Sequence, residues 1–201
     1  MPIPRRWPGE TVVILAPGPS LTAQDAALAR AKARTIAVGD AWRLAPNADV
    51  LYHADAPWWN EYQGVPAFRG ERWTQDKVWG LDSARRWGLR VVCSELRDGI
   101  SFDPACIHQG YNSGFQALNL AVLFGAARIV LLGFDMQAKN GKQHFHGNHP
   151  PSLNRNSPYP MFIAAFSDAA PQLQQAGIEV INASRETALE CFPRRPLAEV
   201  L

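Results

Sequence analysis

The chain has 201 residues, 47% hydrophobic and 19% charged, which is ample for one domain with a sizeable core. Its net charge of +2, with no block of like charges, gives no footing for a nucleic-acid or acidic-membrane partner. No stretch approaches the ~18 consecutive apolar residues of a membrane span, and no signal-peptide-like apolar run follows Arg5 and Arg6.

Val12–Ala16 is a continuous apolar run rich in β-branched residues, which predicts a strand buried on both faces. It breaks into Pro17, Gly18, Pro19 and Ser20, and Ser20 or Thr22 can cap a helix running to about Lys32. Further strands are expected at Thr35–Asp40 and Asp49–Asp55, with a short proline-opened helix over Pro57–Gln63. Phe68–Gly80 has no clear periodicity. Leu81–Gly88 reads as a helix and Leu89–Glu95 as a strand. Ser113–Ala126 is an apolar-faced helix with Gly125 placed to end it, and Ala127–Asp135 is the strongest strand. Met136–Pro160 is long, polar and rich in His, Asn, Gly and Pro, a composition typical of functional or disordered loops. A helix over Met161–Gly177, kinked at Pro171, and a strand over Ile178–Ser184 follow. Cys93, Cys106 and Cys191 are scattered and form no CxxC, so no disulfide is expected and a reducing cytoplasm is the default compartment.

Alternating strands and helices predict an α/β fold. The expected form is a Rossmann-like, mostly parallel sheet flanked by helices, one domain over 1–201, with 136–160 as a polar His-rich loop or lid. Ligands of such sheets bind beyond the C-terminal strand ends. That rule selects the residues following each strand as candidates: Gly18, Pro19 and Ser20, then Asp40, Asp55, and Gly133, Phe134 and Asp135. Asn112, Ser113 and Gly114 open a helix, where free N–H groups suit an anion, although a simple N-cap explains them equally. The first loop lacks the lysine of a phosphate loop and is not G-x-G-x-x-G. Trp58 and Trp59 suit either a sugar- or base-stacking wall or core packing. His144, His146 and His149 form an H-x-H-x-x-H array. With no HExxH and no cysteine nearby, a histidine general base is favoured over a metal, and no metal site is assigned.

The segments "LAPGPSL" and "NSGFQALNLAVLFGAARIVLLGFDM", with the later histidine loop, resemble two related groups. One is the bacterial lipooligosaccharide sialyltransferases, a glycosyltransferase family. The other is the motility accessory factor and hydroxymethylpterin diphosphokinase (MptE-like) proteins. Small phage-encoded proteins show a similar pattern. The resemblance implies a nucleotide or nucleotide-sugar ligand. Phosphate and sugar would be held by Gly18, Pro19, Ser20, Ser113 and Gly114, and the nucleoside by Gly133, Phe134 and Asp135. Asp40 falls near an asparagine position of the sialyltransferases, and their histidine base matches His149 best and His146 second. Tyr159 is a candidate counterpart of the tyrosines that neutralise a leaving phosphate. Pro17 stands where those enzymes have asparagine. The pterin branch implies ATP and Mg2+, with Asp40, Asp55 or Asp135 as ligands through water. No firm cofactor is otherwise implied. A non-catalytic nucleotide-binding protein is the third expectation.

Overall fold

The computed structural model describes residues 2–147, 149–153 and 156–201, with only the backbone of 78–80 and 83. An 8-stranded, all-parallel sheet runs through the molecule. In chain order its strands are β1 (Thr11–Leu15), β2 (Arg34–Val38), β3 (Val50–Tyr52), β4 (Glu71–Gln75), β5 (Arg90–Glu95), β6 (Cys106–His108), β7 (Arg128–Leu132) and β8 (Glu179–Asn182). The helices are α1 (Ala23–Lys32), α2 (Ala56–Glu61), α3 (Val78–Trp87), α4 (Ser113–Phe124), α5 (Tyr159–Gln175) and α6 (Leu197–Val200). This is the Rossmann-like α/β arrangement that the alternation of strand and helix patterns implies.

Alternate residues of the central strands feed two separate cores. Val12, Ile14 and Ile36 pack with α4 and α5 residues such as Phe115, Leu118 and Phe166. Val13, Leu15 and Ala37 pack with Ala26 and Ala29 of α1 and with Trp58 and Trp59 of α2. Both faces of the sheet are therefore covered, which is why these strands read as unbroken apolar runs. Trp58 and Trp59 are 2% and 0% exposed, so they serve packing rather than an open stacking wall. In α4, every residue from Gly114 to Phe124 is buried. Gly125 ends the helix in the left-handed conformation at φ 98°.

The strand order is β6-β5-β4-β3-β2-β1-β7-β8. The chain steps outward from β1 to β6, then returns under the sheet through α4 to place β7 on the other flank of β1. The strand order reverses there, with α1 after β1 and α5 after β7 packed in opposite cores. This is the position at which open α/β sheets bind ligands.

Four local expectations are corrected. Glu71–Gln75, inside the stretch without clear periodicity, is a central strand flanked by β3 and β5. The short strand Cys106–His108 forms the sheet edge. α5 starts at Tyr159, two residues before the expected Met161, and contains Pro171. The β5–β6 register sets Cys93 opposite Cys106, and the two are joined as a disulfide. The spacing of 13 residues concealed a cross-strand neighbour, so Cys93 and Cys106 are paired while Cys191 remains free. Among the described residues, no helix is long and apolar enough to cross a membrane.

Candidate functional site

A cavity of about 420 Å³ opens at the β1/β7 switch point, a size typical of small-molecule sites. Its floor is built by two loops locked together. The Ala16 N–H donates to the Leu132 carbonyl at 2.8 Å, and the Gly18 N–H to the Gly133 carbonyl at 3.0 Å. Gly133 sits at φ 70°, and a Cβ there would lie 2.2 Å from the Ala16 carbonyl oxygen. A Cβ on Gly18 would meet the Gly133 carbonyl oxygen at 2.2 Å and Asp135 Oδ1 at 2.5 Å. Only glycine allows so close a contact between the two strand ends.

Asp135 is 2% exposed and clasped by Ser20, whose N–H and hydroxyl donate at 2.8 and 2.6 Å. Burial pushes its carboxyl above the usual range, while the two Ser20 bonds oppose that rise. Thr22, not Ser20, caps α1, in a reciprocal capping box with Asp25, and Arg185 pairs with Asp25. The donors of the first loop are thus largely engaged by the protein's own carboxylates.

The start of α4 is more open. Asn112 is its N-cap and accepts from the Phe115 N–H at 2.8 Å. The Ser113 hydroxyl accepts from the Ala54 N–H at 3.0 Å, tying the helix start to the end of β3. First-turn amides have no acceptor within their own helix, and Ser113 and Gly114 line the cavity. The positive end of the helix macrodipole lies there too.

The polar loop after β7 folds back over the cavity. The Phe145 N–H donates to the Pro17 carbonyl at 3.0 Å, and that carbonyl also accepts from the His144 ring. His144, His146 and His149 converge, with ring centroids 4.4–5.3 Å apart. Beneath them lies Asp40, its side chain fully buried. Asp40 Oδ2 accepts from Trp58 Nε1 at 3.0 Å, and Arg43 Nη2 lies 2.9 Å from Oδ1. His149 Nδ1 and His146 Nε2 stand 3.4 and 3.7 Å from Oδ2. Burial and the neighbouring His149 and His146 rings push the His144 pKa down to about 4. Burial also lowers His146 and His149, against the opposing pull of Asp40. His53, stacked 4.5 Å from Trp58, completes the wall, and its Nδ1 accepts from the Asp55 N–H at 3.0 Å.

Of the residues selected from sequence, Gly18, Asp40, Asp55, Asn112, Ser113, Gly114, Gly133, Phe134, Asp135 and His149 line the cavity. Pro19 and Ser20 are not among its lining residues, and His146 packs behind, against Asp40. His53, Tyr111 and Met136 also line it. Tyr111 and Met136 hold positive φ, 62° and 51°, a conformation uncommon for side-chain-bearing residues and concentrated at functional sites. No periodicity or motif signals such positions. Arg43, which fixes Asp40 together with Trp58, gave no sequence signal beyond its type. Tyr159 also lines the cavity.

Fold and site together define an α/β protein with a Rossmann-like parallel sheet and a polar, histidine-walled cleft at its switch point. Comparison with family models, curated proteins and solved structures found no match to the chain.

Proposed function

We propose that the cleft binds a nucleotide or nucleotide sugar and that the protein is a transferase acting on it, of the glycosyl-transferring kind. One observation carries the reading: a single cavity joins the β1/β7 switch point, the open start of α4 and the histidine wall. The Ser113 and Gly114 amides take the phosphate, where the helix end favours negative charge. Asp135 takes a ribose or base donor. A carboxylate has about four lone-pair sites, and Ser20 occupies two of them. Activation of an acceptor hydroxyl falls to the histidine wall, where His149 both lines the cavity and leans on Asp40.

Thermal-shift measurements with CMP, CDP, UDP, GDP, ATP and sugar nucleotides, with and without Mg2+, test the reading, because a ligand of the folded state raises the melting temperature. A nucleotide-dependent shift is expected, and no shift with any of them would overturn it. His149→Ala should abolish transfer while keeping the shift. The pterin-type diphosphokinase is the second reading. Asp55 and Asp135 line the same cavity and suit Mg2+ through bridging water. A shift that requires both ATP and Mg2+ would favour it, whereas tight binding without turnover would favour a non-catalytic nucleotide-binding role.

A further inference from the structure

We propose that His144, His146 and His149 form a binding site for a divalent transition-metal ion of the zinc type, with the Asp40 carboxylate facing two of the rings. The proposal rests on the reading above and deepens it: the histidine wall acts through an ion rather than through a free imidazole.

The three histidines each offer a ring nitrogen, and these atoms lie within 4.8 Å of one another. His146 Nε2 and His149 Nδ1 are buried and have no hydrogen-bond partner among the described residues. Leaving a buried polar atom unsatisfied costs roughly 1–3 kcal/mol, so two together in one wall point to a missing partner. Asp40 does not fill that place. Its Oδ2 stands 3.4 and 3.7 Å from the two nitrogens and makes a hydrogen bond to neither. A carboxylate paired with a single protonated imidazole would draw that ring into hydrogen-bond contact. Here two rings flank one oxygen at similar, slightly longer distances.

Two of these separations are close to the edge of a ligand tetrahedron, and the histidine nitrogens lie within 4.8 Å of one another. Nitrogen and oxygen ligands at about 2.0–2.1 Å around tetrahedral zinc are separated by roughly 3.3–3.4 Å along each edge. The Asp40 to His149 separation matches this, and the Asp40 to His146 separation exceeds it by a few tenths of an ångström. The supporting contacts are those of a metal site. The His144 ring donates to the Pro17 carbonyl, and Trp58 and Arg43 fix the Asp40 carboxylate. Such outer contacts orient ligands and set their tautomers. Three imidazoles with one carboxylate favour zinc-type ions over Mg2+ or Ca2+, which prefer all-oxygen sets. His144 and His149 line the cavity, so the ion would face the bound ligand. An ion so placed acidifies a coordinated water or hydroxyl.

The test uses the full chain, stripped with a chelator and titrated with Zn2+ or Co2+ alone. The expected result is a single ion per chain, a zinc-dependent rise in melting temperature, and the visible absorption of four-coordinate Co2+. His146→Ala and His149→Ala should lose the cobalt band while circular dichroism stays unchanged. Asp40→Asn, nearly isosteric, should weaken binding roughly 10–100-fold. A folded wild-type protein with neither cobalt band nor zinc shift overturns the proposal, as do histidine variants that bind like wild type. The nucleotide shift, measured on the same protein, separates the two ideas. Nucleotide binding without metal binding removes the ion alone, and metal binding without any nucleotide shift removes the nucleotide reading alone.

Discussion

Ser20 holds both oxygens of the buried Asp135 carboxylate, one through its backbone N–H at 2.8 Å and the other through its hydroxyl at 2.6 Å. The clasp joins the loop after β1 to the loop after β7 and spans the crevice where the strand order reverses. Ser20→Ala removes the hydroxyl donor and leaves a largely desolvated carboxylate oxygen short of a partner. A loss of roughly 1–3 kcal/mol is expected, read as a lower urea midpoint at unchanged slope. A change within about 0.5 kcal/mol would mean that the clasp contributes little.

Gly133→Ala should be costlier than an ordinary surface change. The residue sits at φ 70°, and its new Cβ would press on the Ala16 carbonyl oxygen. A cost of order 1–3 kcal/mol is expected from the backbone conformation alone, with the contact adding to it. Thermal unfolding measures the loss. Retention of wild-type stability would show that the two strand ends separate easily.

His53 should remain neutral in the folded protein below the pH at which a free imidazole is half protonated. Burial lowers its pKa from 6.5, while Asp55 and Asp40 act against that and His149 acts with it. The unfolded chain therefore takes up the proton first as pH falls. This group's contribution to stability is complete above 6.5 and is lost as pH drops through the folded-state pKa. An NMR titration of the imidazole resonances should place the His53 midpoint under 6.5, and a midpoint above that value would contradict the burial argument.

Reduction of the Cys93–Cys106 disulfide should destabilise the edge of the sheet. Closing a loop of this length removes about 3 kcal/mol of unfolded-state entropy in the chain-entropy account. Unfolding midpoints with and without reductant, and for Cys93→Ser with Cys106→Ser, measure the effect. Intact mass under non-reducing conditions reports the pairing directly. Three free thiols in oxidised, folded protein, rather than the one of Cys191, would rule the bridge out.

The sequence by itself determined the layers and the edge of the sheet that matters. Val12–Leu15, Arg128–Leu132 and the apolar α4 announce their state because burial on both faces demands unbroken apolar runs. The polar residues beside them were therefore legible as a candidate site, and Asp135, Ser113 and His149 line one cavity. Tertiary structure decided everything that depends on pairing across distance. β4, with Glu71, Arg72 and Gln75 among its residues, is a strand because neighbours on both sides supply its hydrogen bonds. Cys93 meets Cys106 only through strand register. Trp58 left the ligand wall for the core and became the donor that fixes Asp40. Local propensity and spacing carry no record of these partners. The three histidines were visible as a pattern, but the buried Asp40 beneath them, more than a hundred residues earlier in the chain, was placed there by the sheet.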